Sequence, residues 1–332
     1  MRHIIYGAGS IGGTIGSRLF QNNQEVILIA RGDHLKAIQK NELVFKTPHE
    51  TVTLPIPCVG HPSEISFEDG DVVYLTMKSQ HTLNALEDLR DVAGIDIPVI
   101  CCQNGVANER MASRRFNRVY AMVVMLPASH LEPGMVHAES VNTTGILDAG
   151  CYPTGTDPLI EEITKTLSQS NFSARANAAI MRFKYAKMLM NLNNSLQALC
   201  EPGDQAADIS RMMTKEALEC YQVAGIDCAS REEFAARRAD HIKVAPVDGS
   251  QRMGGSSWQS VFRGTGSIES DYLNGEIVLL GHLYGVPTPA NRVLQQMAIC
   301  LAKEGGKVGS VSLEEVRKRI VEAGGDMSSK FD

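Results

Sequence analysis

Two rhythms of apolar and polar positions divide the chain. Up to about residue 157, short β-rich runs alternate with helical patterns, which predicts a parallel sheet with crossover helices. His3–Tyr6 reads as the first strand and Ser10–Gln21 as the helix directly after it. Glu25–Ala30 follows as a strand and Asp33–Lys40 as a short helix. Asp71–Thr76, Pro98–Cys102 and Arg118–Met125 read as further strands, with a helix over Gln80–Leu89. Residues 41–57 and 131–148 alternate differently and are expected to be antiparallel additions, the second turning at Pro133–Gly134. Beyond residue 157 the pattern is helical, over about 158–170, 178–200, 204–224, 230–241, 267–285 and 289–304. The proline and glycines of Ala245–Ser257 interrupt it. The expectation is an α/β domain over residues 1–175 and an all-α domain over 176–332.

Bulk properties narrow the partners. At 332 residues the chain is longer than one typical domain, which agrees with that division. A formal net charge of −6 gives no support to nucleic acid or an anionic membrane as a partner, since both favour basic patches. No uncharged apolar run approaches the roughly 18 residues of a membrane span. The cysteines form no C-x-x-C pair and read as reduced thiols in a cytoplasm, and no histidine or cysteine spacing suggests a metal site. A cytoplasmic protein with a small-molecule partner is expected.

Gly7-Ala8-Gly9-Ser10-Ile11-Gly12 fits G-x-G-x-x-G in the required setting, strand before and helix after. The first glycine permits the tight turn, the second lets backbone approach a pyrophosphate, and the third lets the helix pack closely on the strand. The helix N-terminus then offers N–H groups and a positive dipole end to phosphate. The second strand ends at Ala30–Arg31, where an NAD site usually carries an acid for the ribose 2′-OH. A guanidinium suits a 2′-phosphate instead, which favours NADP(H). Asp33 reads better as the cap of the next helix than as a ribose ligand. Lys78 and Asn104 each follow a candidate strand at the ligand-binding edge. A phosphate or ribose contact for Lys78 and a nicotinamide or substrate contact for Asn104 compete evenly with plain turn roles.

The catalytic candidates lie in the helical half. Lys187 stands in the run Tyr185-Ala186-Lys187-Met188-Leu189-Met190, where an unpaired ammonium is costly or loses its proton. Asn191, and one turn further on Asn194 and Ser195, project the same way, so a polar stripe led by a cation faces a pocket. A desolvated lysine can give the proton that a ketone needs after hydride transfer. Lys184 and Arg182 fit the competing role of lysines and arginines that snorkel at a helix edge. A second cluster contains Ser256, Ser257 and Glu269. Ser257 can bind a carboxylate, and Glu269 can orient a hydroxyl or simply favour the first turn of a helix capped near Ser267.

Together these segments resemble the ketopantoate reductase (2-dehydropantoate 2-reductase) family over nearly the whole chain. The carriers are the glycine motif, Ala30-Arg31-Gly32, Met77-Lys78-Ser79-Gln80, Gln103-Asn104-Gly105, Lys187 to Asn191, and Ser256-Ser257 with Glu269 and Asp271-Tyr272-Leu273-Asn274-Gly275. The resemblance implies a Rossmann-type domain followed by a helical domain like the C-terminal one of 6-phosphogluconate dehydrogenase. It implies NADPH-dependent reduction of 2-dehydropantoate to (R)-pantoate, on the way to pantothenate and coenzyme A, in a cleft between the domains. By the same resemblance Lys187 is the general acid, and Asn104, Asn191 and Ser257 touch substrate. Asn104 and Glu269 hold cofactor and substrate in register, and Ala128 lies near the nicotinamide. Asn194 and Ser195 extend the substrate stripe.

The chain departs from that pattern where the family has an asparagine eight residues after the lysine. Here Ser195 stands there, with Asn194 one position early. Val261 replaces a frequent aspartate, and Gly254 stands where an asparagine helps to hold substrate. A different 2-oxo acid or imine is therefore the first alternative, and an NADPH-sensing binding protein without catalysis the second. Oligomeric state is not legible in the sequence, and a homodimer stays open.

Overall fold

The computed structural model describes residues 1–201, 206–249, 254–264 and 266–327, apart from the side chain of Asp240. The chain separates into two compact units. The first is Met1–Lys184 with Ser230–Arg252, and the second is Tyr185–Ala229 with Met253–Asp332. The division therefore falls later than residue 175, and the return of residues 230–252 to the first unit was not expected from the sequence.

The first unit runs β1 (Arg2–Tyr6), α1 (Ser10–Gln21), β2 (Glu25–Ile29), α2 (Gly32–Asn41), β3 (Leu43–Lys46), β4 (Thr51–Leu54), β5 (Cys58–Val59) and β6 (Asp71–Leu75). It continues with α3 (Thr82–Ala93), β7 (Val99–Cys101), α4 (Ala107–Ser113), β8 (Val119–Met125), β9 (Ala128–Ser129), β10 (Met135–Ala138), β11 (Ile146–Cys151) and α5 (Pro158–Gln169). The main sheet has the order β11-β8-β7-β6-β1-β2-β5. It is parallel except for β11, which runs antiparallel to β8. Successive residues point to opposite faces. Ile5, Leu28, Tyr74 and Ile100 join one core, while Ile4, Ile29, Leu75 and Val99 join another. Both faces are covered, which is why these strands read as continuous apolar runs.

A smaller sheet has the order β4-β3-β10-β9. The β3–β4 and β9–β10 pairs are antiparallel as expected, but β10 joins β3 in parallel, a pairing no local pattern announces. The returning segment carries α9 (Arg231–Arg238). Arg237 grips Asp148 of β11 with both arms, at 2.5 and 2.6 Å, and also donates to the Ser173 carbonyl at 3.0 Å. The ion pair is almost fully buried, so water competes little for it.

Helix α6 (Ile180–Asn191) spans the division between Lys184 and Tyr185. The second unit continues with α7 (Asn193–Leu199), α8 (Ala207–Ala224), α10 (Ser256–Phe262), α11 (Asn274–Tyr284), α12 (Pro289–Lys303) and α13 (Leu313–Glu322). Glu216 of α8 caps α12, accepting from the Ala290 and Asn291 amides at 2.8 and 3.0 Å. Burial pushes its carboxyl up, against the pull of those N–H groups. The short helices α4 and α10 and the late helix α13 were not anticipated. The expected helix start at residue 204 and part of the Ala245–Ser257 stretch lie outside the described residues. Among the described residues, no helix is long and apolar enough to cross a membrane.

Candidate active site

In the first unit the glycine motif joins β1 to α1, and each glycine has a separate reason. Gly7 has φ +109°, and a Cβ there would lie 2.8 Å from the Met77 nitrogen. At Gly12 a Cβ would collide with the Gly7 carbonyl and the Thr76 hydroxyl. Gly9 differs, because its φ of −70° suits any residue and a Cβ would meet nothing within 4 Å. No packing requires a glycine at that position, and the space in front of it is open. Gly9 is also the N-cap of α1, whose first turn carries no acidic residue to oppose an anion. Ala8 is buried, and Ser10 and Ile11 open the helix.

His34 braces this turn. Gly134 donates its N–H to Nδ1 at 2.9 Å, so the proton sits on Nε2, which donates to the Ala8 carbonyl at 2.7 Å. Burial lowers the imidazole pKa and favours that neutral form. No local signal in the sequence marks His34 for this role.

Arg31 is exposed at the end of β2. It is itself the N-cap of α2, so Asp33 lies in the first turn instead of capping, and pairs with Lys36 at 3.0 Å on the surface. Beside it, burial pushes the Tyr6 phenol up to about 12, with Arg31 pulling the other way. Lys78 and Asn104 are half-buried in the turns that follow β6 and β7. The glycine turn, Arg31, Lys78 and Asn104 thus follow four parallel strands at their carboxyl ends, and the strand order reverses beside β1. Ala128 is buried in β9, paired with Ala138 of β10.

Lys184 requires a correction. It does not snorkel: it is buried, pairs with Glu109 at 2.5 Å and donates to the Gln103 carbonyl at 3.0 Å. Arg182 pairs with Glu233 at 3.0 Å in a partly exposed position.

In the second unit Lys187, Asn191 and Asn194 are half-buried along α6 and α7. Ser195 departs from the expected substrate stripe. It is fully buried, its hydroxyl donates to Asn274 Oδ1 at 2.6 Å, and it lies 2.8 Å from the Ser270 hydroxyl. Asn274 in turn donates to the Leu192 carbonyl at 3.2 Å and to Asn291 Oδ1 at 3.1 Å. Ser195 therefore belongs to a network that fixes the α6–α7 junction, and has no surface left for a substrate.

Glu269 opens a 3-10 turn, Glu269–Tyr272, whose N-cap is Ile268. Glu269 is buried and accepts from the Ser256 hydroxyl at 3.3 Å. A Cβ on Gly255, just before Ser256, would lie 3.5 Å from Asn194 Oδ1, so α7 and α10 bring Asn194 to this cluster. Among the described residues, two polar atoms here have no hydrogen-bond partner: Ser257 Oγ, in a residue 1% exposed, and Asn191 Nδ2. Buried donors are rarely left unmatched. Gly254, with φ +61°, packs against the Trp258 indole, which stacks on Phe262 at 5.0 Å.

A doubly wound sheet with a dinucleotide-ready turn, joined to a helical unit that carries a lysine and unmatched hydrogen-bond donors, defines a nicotinamide-dependent oxidoreductase. Two family models match the chain. "Ketopantoate reductase PanE/ApbA" matches residues 3–152 and "Ketopantoate reductase PanE/ApbA C terminal" matches residues 179–301. The chain belongs to the ketopantoate reductase family, and is an NADP(H)-dependent oxidoreductase acting on a CH–OH group. A 2-dehydropantoate 2-reductase of Pyrococcus horikoshii is 28% identical over 320 residues, 93% of this chain and 100% of that protein. Among solved structures, the fold is similar to a PanE/ApbA family ketopantoate reductase from Ralstonia eutropha JMP134. That match has a TM-score of 0.77 and 24% identity, over 92% of this chain and 99% of the other. It is also similar to D-mandelate dehydrogenase with NADH and anilino(oxo)acetate, with a TM-score of 0.79 and 23% identity over the same shares.

Proposed function

We propose that this enzyme reduces a 2-oxo acid to a 2-hydroxy acid with NADPH, and that 2-dehydropantoate is the substrate. The observation that carries the substrate class is the pair of unmatched donors, Ser257 Oγ and Asn191 Nδ2, in the unit that holds Lys187. A carboxylate flanking a carbonyl is a natural acceptor for such donors. The full-length similarity to proteins named 2-dehydropantoate 2-reductase supports the particular acid.

In this reading the glycine turn and Arg31 hold the dinucleotide, and Lys78 and Asn104 line its edge. The nicotinamide, when bound, supplies a hydride to the carbonyl carbon. Lys187 polarises the carbonyl oxygen and gives it a proton, since an ammonium beside a developing alkoxide stabilises the charge as it forms. Glu269, held by Ser256, orients the substrate hydroxyl or the cofactor ribose. Asn191 and Ser257 fix the carboxylate.

The test is absorbance at 340 nm with NADPH across a panel of 2-oxo acids, branched aliphatic, hydroxylated and aromatic. Highest kcat/KM for 2-dehydropantoate supports the proposal, and preference for another acid refutes that part of it. The second reading, another 2-oxo acid, is favoured by Ser195, which is closed off from substrate, and by the indole that packs where the family carries an asparagine at residue 254. Tight NADPH binding with no turnover on any acid would refute both.

A further inference from the structure

Lys184 is a deeply buried charge near the proposed cofactor edge. Its side chain is 3% exposed, and that of its partner Glu109 is not exposed at all. Removing two charges from water costs more than their attraction returns unless the geometry is good, and an apolar pair would hold the fold about as well. The pair is not serving the carboxylate either: among the described residues neither Glu109 oxygen has a hydrogen-bond partner, and only the ion pair with Lys184 meets Oε1. What the ammonium adds, and an apolar side chain could not, is a buried donor to the Gln103 carbonyl at 3.0 Å.

That carbonyl belongs to the peptide that leads into Asn104. On the other side of Asn104, its own carbonyl accepts from Asn108 Nδ2 at 3.2 Å. Asn108 also donates to the Ser79 hydroxyl at 3.1 Å and accepts from Thr82 Oγ1 at 2.8 Å. Gln103 Nε2 donates to Thr82 Oγ1 at 3.0 Å. Both carbonyls that flank the Asn104 side chain are thus held by buried groups. The same groups tie this turn to the one that carries Lys78.

We infer that Lys184 is a positioning residue: with Glu109 balancing its charge, it fixes the Gln103–Asn104 peptide plane and so the direction in which Asn104 presents its amide. The inference rests on the proposed role of Asn104 toward cofactor and substrate. A small error in placing such a group is enough to slow hydride transfer about 10²-fold.

The experiment compares Lys184→Met, Glu109→Leu and the double variant in the full chain. Three quantities are read: the thermal midpoint, NADPH affinity by nicotinamide fluorescence, and turnover per NADPH-binding site on the best acid of the panel. Each single variant leaves a lone buried charge and should melt lower. The double variant should regain most of the midpoint, bind NADPH within about threefold of the unmodified chain, and still turn over about 10- to 100-fold more slowly. A double variant that melts and turns over like the unmodified chain overturns the inference, because a purely structural pair predicts that result. If the double variant does not fold, Asn108→Ser decides, since it removes the donor from the Asn104 carbonyl. About tenfold lower turnover with NADPH affinity kept supports the clamp, and unchanged turnover overturns it. Turnover of the unmodified chain is measured first. Its absence on every acid refutes the proposed function and takes this inference with it, whereas normal turnover beside an unaffected double variant refutes the inference alone.

Discussion

Gly9→Ala separates the needs of the fold from those of the ligand. The backbone at Gly9 has φ −70°, and the added methyl would meet nothing within 4 Å. Loss of glycine freedom in the unfolded chain favours the variant by about 0.4–1 kcal/mol. A poorer N-cap costs it a similar amount. The protein without cofactor should therefore melt within about 3 °C of the unmodified chain, since a domain of this size shifts by roughly 2–4 °C per kcal/mol. With NADPH the outcome reverses. The methyl stands where backbone must approach the pyrophosphate, and losing two hydrogen bonds to a charged group at about 1.5 kcal/mol each raises Kd about 100-fold. Thermal melts with and without NADPH read both effects. At 100 times its Kd, NADPH should stabilise the unmodified chain by about 2.7 kcal/mol, and at the same concentration the variant by only about 0.4 kcal/mol. Gly12→Ala is the contrast: its methyl collides with the Gly7 carbonyl and the Thr76 hydroxyl, so it should lower the midpoint without cofactor. An NADPH shift in Gly9→Ala equal to that of the unmodified chain would refute the reasoning.

Three further outcomes are expected. Lys187→Ala should keep NADPH affinity while lowering kcat by about 10²-fold or more, and near-normal turnover would remove Lys187 from its role as acid. Arg31→Ala should weaken NADPH binding while leaving NADH binding nearly unchanged, so equal losses in parallel titrations would exclude a 2′-phosphate contact. Burial depresses the His3 pKa from 6.5 to about 4, so the fold favours the neutral ring. Its contribution is complete above pH 6.5 and is lost as pH falls toward 4, by about 3 kcal/mol in all. Denaturation of the unmodified chain and His3→Leu across that range should show the steeper loss in the former, and parallel profiles would contradict the assignment.

Much of the first unit is legible because its signals are local. A strand that ends at Tyr6, glycines at 7, 9 and 12 and a helix from Ser10 are fixed by neighbouring residues, and the structure has the same boundaries to within a residue. Arg31 is legible in the same way, as the residue two positions after β2. Ser195 is not: its helical spacing placed it beside Asn191, but whether a hydroxyl faces substrate or Asn274 depends on a residue 79 positions away. The return of residues 230–252 to the first unit rests on Arg237 meeting Asp148 across 89 positions, and no periodicity carries that information.

The sequence by itself determined the order of elements, the dinucleotide turn and the chemical types available for reduction, because helical and strand periods and glycine geometry act over a few residues. Only the tertiary structure decided which charges have partners. Lys184 and Lys187 stand three apart on one helix, and the less uniformly apolar neighbours of Lys184 predict a lysine that snorkels at the helix edge. Its environment was settled by Glu109 and by the Gln103 carbonyl 81 positions away. Desolvation acts on whatever the fold brings alongside a charge, and that is a property of packing, which spacing along the chain does not encode.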